Sequence, residues 1–228
     1  MRRFAVIVAG GKGVRMNSPV LKQFIELKGK PILMRSIEAF AQFDPNIALF
    51  VVIPADQFKT WYNLCDSYQF TIPHHLVEGG NTRYESVSHA LDLIRQEGVI
   101  AVHDGVRPLV SSDLLRRCFE TAEKMGSAIP SRPIVESLRQ QTSHGKTIGV
   151  DRNDYVTVQT PQVFHSIILK TAYRQAEPNN YSDDASLVDG FGIAINLVEG
   201  ERRNIKITDP IDLKVAEWVL SDDEQKLK

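Results

Sequence analysis

A glycine-rich stretch near the N-terminus contains the residues whose types and spacing most clearly suggest chemistry. The run Ala9–Gly13 holds three glycines, and the cations Arg15 and Lys22 follow it seven residues apart. Glycines let the backbone turn sharply and bring its N–H groups against a ligand without an intervening Cβ. Arginine adds a bidentate cation and lysine a point charge. The stretch therefore predicts a site for a polyphosphate.

Neither of the two commonest phosphate-binding loops explains this stretch. A Walker loop requires Gly-x-x-x-x-Gly-Lys-Ser/Thr, which is missing here, and a dinucleotide fingerprint would need its third glycine where Met16 stands. A plain glycine-rich turn between a strand and a helix is the alternative for this segment taken alone.

Three further segments could supply a ligand site. Asp104 follows an apolar run, where a carboxylate can hold Mg²⁺ that bridges phosphates, although Asp104-Gly105 is also a common turn pair. Gly79–Ser86 is a second glycine turn, which could equally be a helix start capped by its threonine. The alternation in Asn204–Thr208 predicts a short strand that projects Asn204, Lys206 and Thr208 to one face.

Apolar runs and helical periodicities alternate along the chain, and together they predict the elements that hold these residues. Strands are expected at Phe4–Ala9, Leu49–Ile53, Val99–His103 and Ile193–Val198. Helices are expected around Ile32–Ala41, Val87–Ile94, after Ser111 or Ser112, and from Pro210 onwards. This order predicts an α/β fold, with a mostly parallel sheet covered by helices on both faces. Ligands in such folds bind beyond the carboxyl ends of the strands.

Residues 132–158 interrupt this alternation with a polar stretch that favours β structure. They predict a protruding hairpin, Ile134–Gln140 against Thr147–Asp151. A hairpin alone is marginally stable in water, so it is either a mobile excursion or an arm that packs on a second subunit. The remainder is expected to form a single domain within residues 1–228.

Composition excludes several classes of partner. The formal net charge of −1 over 228 residues gives no electrostatic footprint for nucleic acid or an anionic membrane. Cys65 and Cys118 are isolated, which predicts reduced core thiols rather than a metal or redox site. The first apolar run is too short for a signal peptide or a membrane span, so a cytoplasmic location is expected.

Taken together, the motifs of this chain resemble one family over about residues 4–220. They are Ala9–Met16, Lys22–Phe24, Gly29–Leu33, His103–Pro108, Thr160–Phe164, Asp183–Ser186, Val198–Gly200 and Asn204–Thr208. In this order they are similar to the 2-C-methyl-D-erythritol 4-phosphate cytidylyltransferases of isoprenoid precursor biosynthesis. The resemblance implies a Rossmann-like nucleotidyltransferase fold, transfer of CMP from CTP to methylerythritol phosphate with release of pyrophosphate, Mg²⁺ as the metal, and a homodimer joined through its β-arms.

The resemblance also implies roles for individual residues. The implied catalytic cations are Arg15, Lys22, Arg152 and Lys206. The implied nucleotide site comprises Ala9, Gly10, Gly11, Gly13, Gly80, Asn81, Arg83, Ser86 and Asp104, with Asp104 also the metal ligand. The implied acceptor site adds Arg107, Ser137, Thr160 and Ser182. The chain departs from the family at Leu21, where proline is usual, and at Gly105-Val106, which replace two alanines.

Two other functions are weighed against this one. A ribitol-5-phosphate cytidylyltransferase shares the glycine loop and the Asp-x-x-Arg-Pro element, but Asp183–Ala185 and Val198–Gly200 favour the methylerythritol enzyme. A nucleotide-binding module without turnover is the third possibility, and the joint presence of Arg15, Lys22, Asp104 and Lys206 argues against it.

Overall fold

The computed structural model describes residues 1–11, 20–176 and 181–226, so the predicted site residues Gly13 and Arg15 lie outside the described residues. Its strands are β1 (Arg3–Val8), β2 (Glu26–Leu27), β3 (Lys30–Pro31), β4 (Ala48–Ile53), β5 (His75–Glu78), β6 (Val99–Asp104), β7 (Ser127–Pro133), β8 (Leu138–Gln141), β9 (Thr147–Val150), β10 (Val156–Val158), β11 (Gln162–His165) and β12 (Leu197–Glu199). Its helices are α1 (Ile32–Phe43), α2 (Phe58–Ser67), α3 (Arg83–Leu93), α4 (Ser112–Met125), α5 (Ser166–Gln175), α6 (Asp184–Asp189) and α7 (Pro210–Lys226).

One eight-stranded sheet organises the chain, in the order β10-β7-β11-β6-β1-β4-β5 with β12 beside β7. The strands β6, β1, β4 and β5 are all parallel, which confirms the predicted mostly parallel sheet. The sequence did not predict that β11 enters antiparallel between β6 and β7. The carboxyl ends of β1 and β6 are adjacent, because Val8 pairs with Asp104.

Two hydrophobic cores lie on opposite faces of this sheet, as the alternation of side chains along β1 requires. Ala5 and Ile7 face a core shared with α1, α2 and α4, whereas Phe4 and Val6 face a core shared with α3 and α5. This arrangement confirms helices on both faces. Within the part of the chain that the structure describes, no helix has the length and apolar character needed to cross a membrane.

Two predicted strands differ from the observed structure. The predicted strand Ile193–Val198 begins four residues later, at Leu197, and ends at Glu199, because Asn196 donates its N–H to the Ser127 hydroxyl rather than continuing the ladder. The predicted strand over residues 204–208 is an irregular segment with only one bond typical of pairing, from Ile207 N–H to the Val106 carbonyl. Consequently Asn204 and Lys206 do not share a face: Asn204 is buried, whereas Lys206 reaches the end of β6.

The protruding hairpin is present but shorter than predicted, since it pairs Leu138–Gln141 with Thr147–Val150. Residues 134–137 lack an extended partner because the opposing residues Arg152–Asp154 form a 3-10 turn, with the Asp151 side chain accepting the Asn153 N–H. The Val135 carbonyl instead accepts a hydrogen bond from the Arg152 guanidinium.

Helix α6 is anchored to the sheet through its first turn. The Gln162 amide of β11 donates to Asp183 and accepts from the Ala185 N–H, while Asp183 and Ser186 form a capping box. The Asp184 side chain is fully buried, where it pairs with Arg83 Nη2 at 2.6 Å and accepts a 2.6 Å hydrogen bond from the Tyr173 hydroxyl. A buried carboxylate needs such partners to remain charged.

We expect Asp184→Asn to lower the free energy of unfolding by about 3–5 kcal/mol, because it removes one partner of a largely buried ion pair. The matched control is Asp113→Asn in the exposed pair with Arg116, whose side chains are 54–68% accessible and which should cost less than about 1 kcal/mol. Urea denaturation measures both changes. Equal losses in the two variants would contradict the anchoring role of Asp184.

Candidate active site

A cleft of about 260 Å³ opens at the carboxyl ends of β1 and β6, where the parallel sheet was expected to bind a ligand. Ten predicted site residues line it: Ala9, Gly10, Gly11, Lys22, Gly80, Asn81, Arg83, Ser86, Asp104 and Lys206. The structure therefore brings together four segments that are far apart in the chain: the first glycine loop, the second glycine turn, the end of β6 at Asp104, and the stretch that carries Lys206.

The first glycine loop forms one wall of the cleft. The Gln23 side-chain amide is buried and donates a 2.7 Å hydrogen bond to the Ala9 carbonyl, which ties the loop to the 3-10 turn Lys22–Phe24. The Lys22 side chain lies along the loop, since a Cβ built on Gly11 would be 3.6 Å from Lys22 Cε. This wall thus combines open backbone with a cation, as a phosphate site requires.

The second glycine turn forms an adjoining wall at the start of α3, since a Cβ built on Gly10 would be 3.8 Å from Ser86 Oγ. Thr82 is the N-cap of the helix and accepts from the Glu85 N–H, so the threonine cap considered for this segment is present. A Cβ on Gly80 would stand 2.3 Å from Glu85 Cβ, so only glycine fits at this point of the turn. The Ser86 hydroxyl accepts from Gly80 N–H at 3.1 Å and donates to the Thr82 carbonyl at 2.8 Å.

Asp104 is the electrostatic centre of the cleft. Its Oδ2 is 3.1 Å from Arg107 Nε and 3.1 Å from Lys206 Nζ. Burial alone would raise the pKa of Asp104, but Lys206, Arg107 and Arg83 outweigh it and hold that pKa well below its usual range. A negative charge is thereby fixed at the end of β6, with cations on several sides.

A buried polar layer supports Asp104 from below. His103 is fully buried, and burial lowers its pKa to about 4, so its imidazole is neutral at pH 7. The imidazole contacts the Thr160 hydroxyl and the Arg107 carbonyl, each at 3.1 Å. The Thr160 hydroxyl in turn accepts the Asp104 N–H at 3.0 Å.

A second group of buried amides holds the segment that carries Lys206. The Asn204 carbonyl accepts from Arg107 Nη1 at 2.9 Å and from Gln159 Nε2 at 3.3 Å. The Asn204 side chain donates to the Thr160 carbonyl at 2.8 Å. Lys206 therefore approaches Asp104 from a segment that is fixed by hydrogen bonds rather than by a strand.

Five of the predicted site residues that the structure describes do not line this cleft. Arg107 lies behind Asp104, and Thr160 is buried beneath it. Ser182 is exposed just before α6, next to the Tyr181 and Asp183 of a smaller neighbouring cleft. The other two, Ser137 and Arg152, lie on the protruding arm and are exposed there.

Several residues of the site were not predicted as site residues. Gln23, Thr82 and Val106 line the cleft, and the buried side chains of His103 and Asp184 hold Asp104 and Arg83 in place. A polar residue inside an apolar strand, such as His103 in Val99–Asp104, is the signal that could have identified one of them.

Comparison with known proteins agrees with this geometry. A family model described as 2-C-methyl-D-erythritol 4-phosphate cytidylyltransferase matches residues 4–222. Proteins of that name from Bacteroides fragilis and Phocaeicola vulgatus are 48% and 46% identical over 220 residues, and each match covers 96% of this chain and all of the relative. The crystal structure of the Thermus thermophilus protein of that name has a TM-score of 0.79 at 30% identity, covering 96% of this chain and 98% of that one.

These likenesses confirm the expected nucleotidyltransferase fold and the family resemblance seen in the motifs. Because the family model matches almost the whole chain and relatives approach half identity, the chain belongs to the 2-C-methyl-D-erythritol 4-phosphate cytidylyltransferase family.

Proposed function

We propose that this protein transfers CMP from CTP to the phosphate of 2-C-methyl-D-erythritol 4-phosphate, releasing pyrophosphate, in isoprenoid precursor biosynthesis. The proposal rests on one observation. The Gly10–Gly11 loop, Lys22 and Lys206 line the same cleft as the ionised Asp104. Membership of the family supports this substrate pair, and the relatives' names favour methylerythritol phosphate over ribitol 5-phosphate.

In this reaction a phosphate oxygen of the acceptor attacks the α-phosphorus of CTP, the new P–O bond forms, and the bond to pyrophosphate breaks. The nucleophile is already an anion, so no general base is needed. Catalysis consists of positioning both substrates and neutralising charge on the phosphoryl oxygens. Lys22 beside the open Gly10–Gly11 backbone is placed to do this for the triphosphate, and the sequence assigns the same role to Arg15.

The wall formed by Gly80, Asn81, Arg83 and Ser86 is the proposed site for cytosine and ribose. The only proton of the Ser86 hydroxyl is donated to Thr82, and one lone pair accepts from Gly80. Its remaining lone pair is an acceptor, which suits the N4 amino group that distinguishes cytosine from uracil. Arg83 is held at this wall by its ion pair with Asp184.

We propose Mg²⁺ as the metal of this site, on the basis of the single carboxylate that Asp104 supplies. Within the described ranges 1–11, 20–176 and 181–226, no three His, Cys, Asp or Glu side chains gather as a metal cage. Asp104 supplies an ionised carboxylate whose Oδ2 pairs with Arg107 and Lys206. Mg²⁺ is commonly held by one or two carboxylates together with substrate phosphates and water. When bound, it would neutralise triphosphate charge beside Asp104.

The acceptor's phosphate is assigned to Lys206, which lines the cleft, while Arg107 and Ser182 do not line it and keep the assisting roles that the resemblance implies. Ser137 and Arg152 are exposed on the arm and do not line the cleft, which supports a contribution to the site of a second subunit. The arm exposes Val135, Ile148 and Tyr155, an apolar surface that suits contact with a second copy of this chain. We therefore propose a homodimer in which each arm completes the partner's site. The cytoplasmic location stays a prediction.

The direct test is pyrophosphate release by the purified chain with CTP, Mg²⁺ and each candidate acceptor. Turnover with methylerythritol phosphate and none with ribitol 5-phosphate is the expected result. Turnover with ribitol 5-phosphate alone would replace the substrate. Absence of turnover with both, in a chain that binds CTP, would favour the nucleotide-binding module.

For the triphosphate site, we expect Lys22→Ala to lower kcat at least about a hundredfold while the protein stays folded, because one positioned cation is lost from the developing phosphoryl charge. The matched control is Lys59→Ala on the exposed face of α2, which should leave kcat unchanged. Steady-state kinetics measures both. A Lys22→Ala enzyme with normal kcat and only a raised KM would remove Lys22 from the catalytic residues.

For the acceptor site, we expect Lys206→Ala to raise the KM for methylerythritol phosphate about tenfold or more, with little change in CTP affinity. Lys214→Ala, exposed on α7, serves as control. Calorimetry with CTP and Mg²⁺ complements the kinetics. A large loss of CTP affinity in Lys206→Ala would place this lysine on the nucleotide instead.

The proposed dimer can be tested by mixing two inactive variants. Lys22→Ala and Arg152→Ala homodimers should each be nearly inactive, because every site lacks one cation. When the two chains are co-expressed, half the dimers are mixed, and each mixed dimer has one intact site. Activity should then recover to roughly a quarter of the wild-type value. No recovery in verified mixed dimers would show that Arg152 serves its own subunit.

A further inference from the structure

Three hydrogen bonds run beneath the Asp104–Arg107 turn and join its two ends. At one end, the Asp104 N–H donates to the Thr160 hydroxyl at 3.0 Å. At the other, the Arg107 carbonyl lies 3.1 Å from His103 Nε2. Between them, His103 Nδ1 lies 3.1 Å from the Thr160 hydroxyl. One imidazole and one hydroxyl thus bracket the turn that carries the central carboxylate.

Donor and acceptor chemistry fixes every proton in this chain of bonds. A carbonyl oxygen only accepts, so Nε2 of the neutral His103 must carry the proton that reaches Arg107. Nδ1 then has a lone pair and accepts the Thr160 O–H. The Thr160 oxygen uses its own lone pair for the Asp104 N–H. The Phe40 ring packs edge-on against the imidazole ring, with the two ring centroids 5.1 Å apart.

The single proton of Thr160 is therefore already committed to His103. The residue is only 6% exposed, and it is not among the residues that line the cleft. To donate to a substrate phosphate, Thr160 would have to break its bond to His103 and leave Nδ1 buried without a partner, which is costly. The structure places it under the site rather than in it.

We infer that Thr160 and His103 are positioning residues, which together hold the Asp104–Arg107 turn in its active geometry, and that Thr160 does not bind the acceptor. This inference rests on the proposed function. It departs from the role that the family resemblance implied for Thr160. Two contacts within the turn depend on both of its ends being held. The Arg107 N–H donates to the Asp104 carbonyl at 3.0 Å, and Arg107 Nε lies 3.1 Å from the Asp104 carboxylate.

The first test compares Thr160→Val with Thr160→Ser. Valine keeps the volume but removes the hydroxyl, so Asp104 N–H and His103 Nδ1 lose their partner. We expect kcat to fall about tenfold or more, while the KM for methylerythritol phosphate stays within about threefold of the wild-type value. Serine restores the hydroxyl and should restore most of kcat.

An effect on KM instead of on kcat would overturn the inference. If Thr160 donates to the acceptor's phosphate, Thr160→Val will raise the acceptor's KM with kcat nearly kept, as Lys206→Ala is expected to do. Equal kinetics in wild type and Thr160→Val would also overturn it, because the hydroxyl would then hold nothing that the reaction needs.

The second test needs no turnover and no variant that must fold. In the ¹⁵N-labelled wild-type protein, imidazole NMR should show His103 as the neutral tautomer protonated at Nε2. A His103 protonated at Nδ1, or at both nitrogens near pH 7, contradicts the chain of bonds. If the chain fails to use CTP and methylerythritol phosphate but His103 has the expected tautomer, the proposed function fails while the hydrogen-bond network stands.

Discussion

The carboxylate of Asp104 is buried at the end of β6, and its charge is maintained there by Lys206, Arg107 and Arg83. An ionised carboxylate in such a place is costly unless it is paired and hydrogen-bonded. Each of its three cations arrives on a different segment, from after β6, from α3 and from the irregular stretch before α7. Balancing this one charge is therefore what requires distant parts of the chain to meet.

Close contacts between backbone segments and hydrogen bonds of buried side-chain amides hold these distant segments together. Gly105 follows Asp104 and donates its N–H to the Val8 carbonyl at 2.8 Å, and a Cβ there would lie 3.0 Å from the Ala9 Cβ. The glycine loop after β1 thus lies directly against the aspartate turn. On the other side, Gln159 and Asn204 fix the segment before Lys206 without a regular strand. Rigid support of this kind is what positions charges for phosphoryl transfer.

The elements with strong periodicity could be predicted from the sequence, because local patterns determine them. The apolar run of β6 and the Ser111 cap of α4 are where the sequence predicts them, since burial and capping are local signals. The cleft could be predicted because carboxyl ends of adjacent parallel strands must meet. The antiparallel orientation of β11 could not be predicted, because the direction of a strand depends on partners far along the chain.

The same distinction applies to the site. Lys22 and Asp104 were predictable as residue types beside a glycine turn and a strand end, whereas Lys206 was identified through the family resemblance, and all three line one cleft. The burial of Thr160 and its hydrogen bond to His103 could not be predicted. The direction of a hydroxyl depends on its tertiary neighbours, which the spacing of a motif does not specify. The pairing of Asp184 with Arg83 joins residues 101 positions apart and was equally hidden from the sequence.

A crystal structure of this protein with CTP and Mg²⁺ would test most directly whether the charge balance around Asp104 forms a nucleotide site. We expect the triphosphate to lie against the Gly10–Gly11 backbone and Lys22, the cytosine beside Gly80 and Ser86, and the metal in contact with Asp104. CTP bound elsewhere, or a triphosphate out of reach of both Lys22 and Asp104, would contradict it.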